Sequence, residues 1–288
     1  DLHSFPTRRS SDLHIAFLGA VVLAPALITA LSDDKAAADL LPAIASGERI
    51  VIVAHQEPQT RGELNHVATR AEKTGDGYVL DGYKNVIAHG GAADELLITA
   101  RSSGKTADAD GVSVFRVDPR ASGVTVKSYR TIDGRSAADI ELKKVKVAAD
   151  RRIGAEGKAF AAIETAHEIA LSAICAEAVG IMKAVNATTL DYTKSRKQFG
   201  QPIAKFQVLQ HRMADMFLQA EQATSMSYLA AIKCTDPDAA ERRRSLSAAK
   251  VVIGQAGRFV GQQAVQLHGG MGMTDRSEEH TSELQSPI

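Results

Sequence analysis

The sequence predicts an α+β protein in which a short helical block, an antiparallel β-sheet or barrel and a bundle of long helices follow one another. Three observations carry that expectation. Ile15 to Gly47 reads as helical and apolar. From about Ile50 to Val147 apolar and polar residues alternate, the period of a half-buried strand. Beyond Gly157 three long segments return to apolar spacings of three and four, the period of a helix packed on one side.

In the first block, Ser32-Asp33-Asp34 offers an N-cap with acid in the first turn, Gly47 offers a stop, and Pro42 is expected to break the helix near its end. Short strands are expected at residues 50–54, 66–72, 78–88, 95–101, 112–118, 124–130 and 139–147, separated by Gly-Asp-Gly, Asp-Gly and Gly-Gly turns. Hairpins without intervening helices exclude a doubly wound dinucleotide domain. Gly75-x-Gly77 is accordingly a turn, lacking both a third glycine and a following helix. Helices are expected from Phe160 to about Tyr192, Ala204 to Lys233 and Pro237 to Leu267. In the second, Phe206, Leu209, Met213, Met216, Phe217 and Ala220 share one apolar face. Small residues in the third, Ala256, Gly257, Gly261 and Ala264 among them, suit either a subunit interface or close packing within the bundle.

Composition narrows the functional classes. Lys+Arg and Asp+Glu number 34 each, and this balance argues against nucleic acid or an anionic membrane as a general partner. Arg242-Arg243-Arg244 reads as a solvated helix face. Cys175 and Cys234 lie far apart in apolar helical context, which suggests buried reduced thiols and a cytoplasmic location. No His, Cys, Asp and Glu cluster has metal-ligand spacing, so no metal is expected. The apolar run Ile15–Leu31 contains Gly19 and Pro25 and falls short of the ~20 residues that span a bilayer.

Two stretches carry chemistry. Tyr192 to Met216, YTKSRKQFGQPIAKFQVLQHRMADM, sets a basic helix end (Lys194, Arg196, Lys197) beside Phe199-Gly200, with Pro202 expected to open the next helix as an αα-corner. The planar fork of an anchored arginine suits phosphate oxygens, and a basic last turn also suits the helix dipole alone. Gln266-Leu267-His268-Gly269-Gly270 ends the last helix with backbone N–H groups that no Cβ shields. By itself it reads as a plain glycine helix stop rather than a phosphate site.

Together these strings resemble the signature of the acyl-CoA dehydrogenase flavoenzymes: R-K-Q-F-G-Q-P-I-x-x-F-Q-x-x-Q-H-x-x-A-D-M, then QLHGGMGM from Gln266 to Met273. A weaker likeness extends from about His14 to Asp275. The resemblance implies FAD, held across a subunit boundary by Arg196, Gln198, Phe199, Gln207, Gln266, Gly269 and Gly270. It also implies α,β-dehydrogenation of an acyl-CoA thioester, an electron-transferring flavoprotein as electron acceptor, and a homo- or hetero-oligomer, in the family a tetramer. The implied organisation is the end of an N-terminal helical domain at 14–48, a middle β domain at 49–152 and an incomplete helical bundle at 153–275. Residues 1–13 and 276–288 resemble translated sequencing-adapter DNA and are set outside the fold.

This chain departs from the family pattern in the β block. Gln56-Glu57-Pro58 stands where a Thr-Glu-Pro segment is usual, and Val86-Ile87-Ala88 where Trp-Ile-Thr is usual. A hydroxyl beside the flavin's reactive nitrogen and a shielding indole are thereby missing, a departure similar to the branch containing the small subunit of pimeloyl-CoA dehydrogenase. One family position for the proton-abstracting carboxylate falls on Ala170, and the usual one lies beyond Asp275. Glu168 is the weak candidate for that base nearby; it is two positions from Ala170, a turn of about 200°, and is expected to be a surface acid rather than the base. His167 and His211 are expected to pack or cap. The chain as given is therefore expected not to turn over by itself. The alternatives are a non-catalytic partner subunit of a heteromeric dehydrogenase and a related flavin oxidase or monooxygenase.

Overall fold

The computed structural model describes residues 17–60 and 62–273, and the chain divides into two compact units between Ala170 and Leu171. The expectations for residues 1–13 and 276–288 lie outside the described residues.

The first unit opens with a π-helical turn, Phe17–Leu23, that continues into α1 (Ala24–Ala30) and then α2 (Asp34–Ala45). Asp33 caps α2 through its side chain, which accepts from Ala36 N at 3.0 Å. Its other oxygen accepts from Gly154 N at 3.0 Å, so one carboxylate ties the helix start to the chain ahead of the helical bundle. Pro42 does not break α2, contrary to expectation: the helix continues to Ala45, and Pro42 O accepts from Ser46 N at 2.9 Å. In the last turn a proline removes one hydrogen bond with little helix left to disrupt.

Eight strands form the sheet: β1 (Val51–Ala54), β2 (Arg70–Thr74), β3 (Gly77–Ala88), β4 (Glu95–Arg101), β5 (Val112–Val117), β6 (Val124–Arg130), β7 (Ser136–Ala148) and β8 (Arg152–Ile153). The order is β6-β7-β3-β2-β4-β5-β8, with β1 beside β4. Hairpin neighbours pair antiparallel, as the turns predict. The sheet is nevertheless mixed. β1 runs parallel to β4 with Val51 opposite Glu95, and β2 touches β4 in parallel at Arg70 and Arg101. β1 enters from the helical block rather than from a hairpin turn, so no tight turn dictates its direction. β2 starts at Arg70, not His66, because the preceding amides have other partners. Val67 N donates to Thr106 O at 2.9 Å, and the Ala68 and Thr69 amides donate to the Glu57 carboxylate.

Every residue of β4 is buried, as in a strand covered on both faces. One face packs Leu96 and Ile98 with Ile52, Leu80, Phe115 and Ile140. The other packs Leu97 with Val51, Val114 and the helix residues Leu27, Ile28 and Leu40. Each such side chain contributes about 1.5–3 kcal/mol on burial. Arg116 joins the layers, with Nε 2.6 Å from Glu95 Oε1 in β4 and a second nitrogen 2.6 Å from Asp39 Oδ2 in α2.

The second unit is built from the later turns of α3 (Phe160–Ser195), then α4 (Gln207–Lys233) and α5 (Ala239–His268). Its core joins Cys175, Val179 and Met182 of α3 to Met216, Ala220 and Ala223 of α4 and to Leu246, Ile253 and Val260 of α5. Asp238 caps α5, accepting from Ala240 N at 2.8 Å. Ala256, Gly261 and Ala264 face inward, so these small residues serve packing within the unit. Phe217 does not share the buried face of α4. It is 58% exposed, one residue and ~100° of helix beyond Met216. Cys175 is buried and Cys234 half-buried; both are free thiols. Among the described residues no group of side chains could hold a metal ion, and no helix is long and apolar enough to cross a membrane.

Candidate functional site

The motif stretch of the second unit is a hairpin and not the simple corner expected of it. Arg196 N donates to Tyr192 O at 2.8 Å as α3 ends, and Ile203 N donates to Arg196 O at 2.9 Å. Between them β9 (Lys197–Gln198) pairs with β10 (Gln201–Pro202). Phe199 and Gly200 form the tip, with φ 55° and 78°, the signs of a two-residue type I′ turn. Pro202 therefore does not open α4. Its ψ of 138° is that of extended chain paired to Lys197, and α4 begins at Gln207 after one 3-10 turn.

Phe199 is 91% exposed and meets only the edge of Phe206, at 6.1 Å between ring centroids. A bulky residue in the left-handed region is strained, and so exposed a ring adds little to the packing of its own unit. The Arg196 side chain is exposed and makes no ion pair or hydrogen bond among the described residues. Gln198 and Gln207 are exposed beside it.

At the end of α5, Gly269 adopts φ 60°, ψ −136° and donates back to Gln266 O and Val265 O. No atom lies within 4 Å of where a Cβ would stand on Gly269 or Gly270, so the backbone there is open to a ligand. Gln266 is exposed as well. The two motifs meet through one side-chain pair. Tyr192, one turn before Arg196, stacks on His268 at 4.4 Å and 25°, and its hydroxyl donates to His268 O at 3.3 Å. An unpaired guanidinium, an exposed aromatic ring and an unshielded glycine turn, set on adjoining helix ends, fit a dinucleotide's phosphates and base.

A second candidate lies wholly within the first unit. A cavity of about 460 Å³ is lined by Gln56, Val86, Ile87 and Ala88, the two segments that depart from the family pattern, together with His55 and His167. Val86 has φ 51°, an outlier for a β-branched residue. Asp139 clamps it there: Oδ1 accepts from Val86 N at 3.0 Å and Tyr129 Oη at 2.9 Å, and Oδ2 accepts from Tyr83 Oη at 2.7 Å. Val86 and Ala88 are exposed, so neither a shielding ring nor a hydroxyl is supplied at these positions.

Behind the cavity lies a polar cluster that period-two reading missed. Lys84 is fully buried, and its Nζ donates to Glu57 Oε1 at 2.7 Å, Thr99 Oγ1 at 3.1 Å and His55 O at 3.2 Å. Burial pushes the Lys84 ammonium down to about 8 against the pull of Glu57. Burial would raise Glu57, but the Lys84 charge and hydrogen bonds from Lys84, Thr69 and Ala68 hold it below the usual carboxylate range. His55 Nδ1 lies 3.0 Å from Thr99 Oγ1, and its ring meets His167 edge to face at 5.4 Å. Burial, then the charges of Lys84 and His167, push His55 well below 6.5, with the Leu64 carbonyl pulling weakly upward. His167 Nδ1 donates to Ile163 O at 2.9 Å. A signal was present in the sequence: alternation sets Lys84 on the face of Leu80, where a lone lysine demands a buried acid.

Ala170 is buried and offers no proton acceptor. Glu168 is 9% exposed, which overturns the expectation of a surface acid. The side of α3 turned away from Ala170 is itself packed. His211 is exposed and does not pack.

The model described as acyl-CoA dehydrogenase, middle domain, matches residues 53–145, and that described as acyl-CoA dehydrogenase, C-terminal domain, matches residues 160–284. The chain belongs to the acyl-CoA dehydrogenase family. It is similar to 3-(aryl)acrylate reductase of Clostridium sporogenes, 30% identical over 84% of this chain and 64% of that protein. It is also similar to the caffeyl-CoA reductase-Etf complex subunit CarC of Acetobacterium woodii, 28% identical over 81% of this chain and 61% of that one. The structure of butyryl-CoA dehydrogenase from Megasphaera elsdenii superposes with TM-score 0.86 and 27% identity, over 96% of this chain and 73% of that one. The chain spans about three fifths of the length of the two curated relatives.

Proposed function

We propose that this chain is part of an FAD-dependent enzyme that dehydrogenates an acyl-CoA thioester between its α and β carbons and passes the electrons to an electron-transferring flavoprotein. The observation that carries this reading is the pairing of the unpaired Arg196 and exposed Phe199 with the open Gly269 turn through Tyr192 and His268. In the roles assigned here, Arg196 binds the pyrophosphate with Gln198 and Gln207 beside it, and Phe199 covers the base. Gln266, Gly269 and Gly270 present backbone and amide donors. FAD would supply the hydride-accepting ring. The cavity of the first unit orients the ring against Gln56 and Val86–Ala88 and excludes water. The flavin is shared between copies in a homo- or hetero-oligomer, and the free thiols of Cys175 and Cys234 suit a cytoplasmic location. The Etf-complex relative supports the electron partner.

The proton acceptor is assigned to none of the described residues, because Ala170 occupies the helical position. That observation favours a second reading, a non-catalytic partner subunit that keeps the fold and the flavin-binding corner. Arg196→Ala in the complete protein tests the main proposal. Losing a charge-assisted contact of roughly 1.5–3 kcal/mol should weaken FAD binding about tenfold to a hundredfold, read by flavin titration. Undiminished affinity in Arg196→Ala and in Gly269→Ala would sink it.

A further inference from the structure

Strands β3 and β7 fall out of step at two places, between Leu80 and Gly82 and between Lys84 and Ile87. At the second, Lys84 faces Ile140 and Ile87 faces Ala138, so Asn85 and Val86 together stand opposite Asp139 alone. Two residues against one make a β-bulge, which advances the strand by one position. Regular alternation from the buried Lys84 would turn Val86 inward and Ile87 outward. Instead Ile87 is 4% exposed and Val86 45%. The bulge therefore sets which way residues 86–88 turn at the cavity they line. It also joins that wall to the other one, because Asn85 N donates to the carbonyl of the lining residue Gln56 at 3.0 Å.

Asp139 holds the bulge with both oxygens. Oδ1 takes the Val86 amide and the Tyr129 hydroxyl, and Oδ2 takes the Tyr83 hydroxyl. β7 lies between β3 and β6, and Tyr83 and Tyr129 are diagonal neighbours of Asp139, facing Glu141 and Ala137. One tyrosine from each adjoining strand thus steadies the carboxylate. The other bulge offers a comparison within the same pair of strands. There Lys143 and Lys144 stand opposite Asp81, Lys144 has φ 50°, and its amide donates to Asp81 Oδ2 at 3.2 Å. None of those three residues lines the cavity.

We propose that Asp139, steadied by Tyr83 and Tyr129, is a positioning residue for the ligand of this cavity. By holding the Val86 amide it keeps residues 86–88 in the strand phase that fits that ligand. The inference deepens the function proposed above, in which the ligand is the flavin ring, and rests on it for its first probe. A valine at φ 51° is strained, and the clamp holds that strain before the ligand arrives. Without the clamp the bulge relaxes toward regular pairing. Affinity then falls with the fraction of molecules still in phase.

The test uses the complete protein, with FAD and butyryl-CoA titrated separately. Asp139→Ala should weaken binding about fivefold to a hundredfold, the range expected when a strained backbone loses its support. Asp139→Asn keeps one oxygen for the Val86 amide and should fall between that variant and wild type. Asp81→Ala loosens the other bulge and should leave affinity as in wild type. Rescue separates positioning from general damage. In a Val86→Gly background, where positive φ costs little, Asp139→Ala should change affinity by less than about twofold. Amide hydrogen exchange of the ligand-free protein gives a second readout. Exchange at Val86 and Ile87 should quicken in Asp139→Ala, while Leu96 and Ile98 in β4 keep their wild-type rates. The proposal is overturned by wild-type exchange at Val86 in Asp139→Ala, by undiminished affinity for the probe that wild type binds, or by equal losses with valine and glycine at position 86. Failure of the flavin reading looks different: wild type then binds no FAD, yet binds butyryl-CoA with an affinity that still depends on Asp139. Binding of neither probe overturns both.

Discussion

Glu57 and Lys84 stand 2.7 Å apart with solvent excluded from both. Such a pair adds little stability over an apolar substitute, but removing one partner strands a buried charge at a cost of about 3–5 kcal/mol. Lys84→Met should therefore lower stability by that amount in urea denaturation. Glu57→Gln with Lys84→Met should recover most of it, the non-additivity expected of contacting residues. A single variant within about 1 kcal/mol of wild type would show the pair to be solvated. His55 makes a separate prediction. It is held neutral in the fold while an unfolded histidine titrates near 6.5, so the unfolded chain binds more protons below that pH. Its contribution is fully present above about pH 6.5 and is lost as pH falls, by up to ~1.4 kcal/mol per pH unit. His55→Phe should flatten stability against pH between about 5 and 6.5; an unchanged slope would assign the titration elsewhere. These residues were barely legible beforehand. Glu57 lies within Gln56-Glu57-Pro58 and Lys84 within a strand, but the partners Thr69 and Thr99 come from positions 12 and 15 residues away, joined only by sheet register.

At the scale of elements, long helices and most strands were readable because each carries its own period. The departures occur where a distant partner decides. Residues 66–69 alternate like a strand, yet two of their amides bind Glu57. The Pro202 segment looks like a helix start, yet it pairs with Lys197. Both stretches proposed to hold the flavin are visible in the sequence, but their joining by Tyr192 and His268 needs the fold. The hairpin tip supports a direct test. Replacing Phe199 by glycine removes the left-handed penalty of roughly 1–2 kcal/mol, so melting temperature of the flavin-free protein should hold or rise. FAD affinity should nonetheless fall, because the exposed ring is gone. A variant that binds FAD as tightly as wild type would leave Phe199 without that role.

At the scale of the molecule, carboxylates tie the helical block to the chain around the β domain and tie β-domain strands to one another. Gly154 and Ala36 amides hold Asp33 low, and Arg116 holds Asp39 low. Burial would raise Asp139, but the Tyr83 hydroxyl and the Val86 amide hold it low. Depressed carboxyls lend stability above their unfolded values and lose it as pH falls through the folded ones. The denaturation midpoint should therefore drop steeply below about pH 4, and Asp39→Asn together with Asp33→Asn should soften that drop. Equal acid sensitivity in the double variant would place the titrating groups elsewhere. The chain as given, supplied with FAD and acyl-CoAs, should bleach the flavin more slowly than roughly 1 s⁻¹, the low end of ordinary turnover, because Ala170 provides no base. Faster bleaching would identify an acceptor among these residues, with Glu168 the first to replace.

The seclusion of Lys84 has a practical consequence. An amine-acylating reagent reaches surface lysines such as Lys73 and Lys158 at once, but Lys84 has no exposed surface while its sheet is closed. Mass spectrometry of the corresponding peptide would thus time the opening of β3 away from its neighbours, a chemical clock built into the strand. Its labelling should slow when a ligand fills the adjacent cavity, in proportion to how firmly that ligand holds the sheet shut.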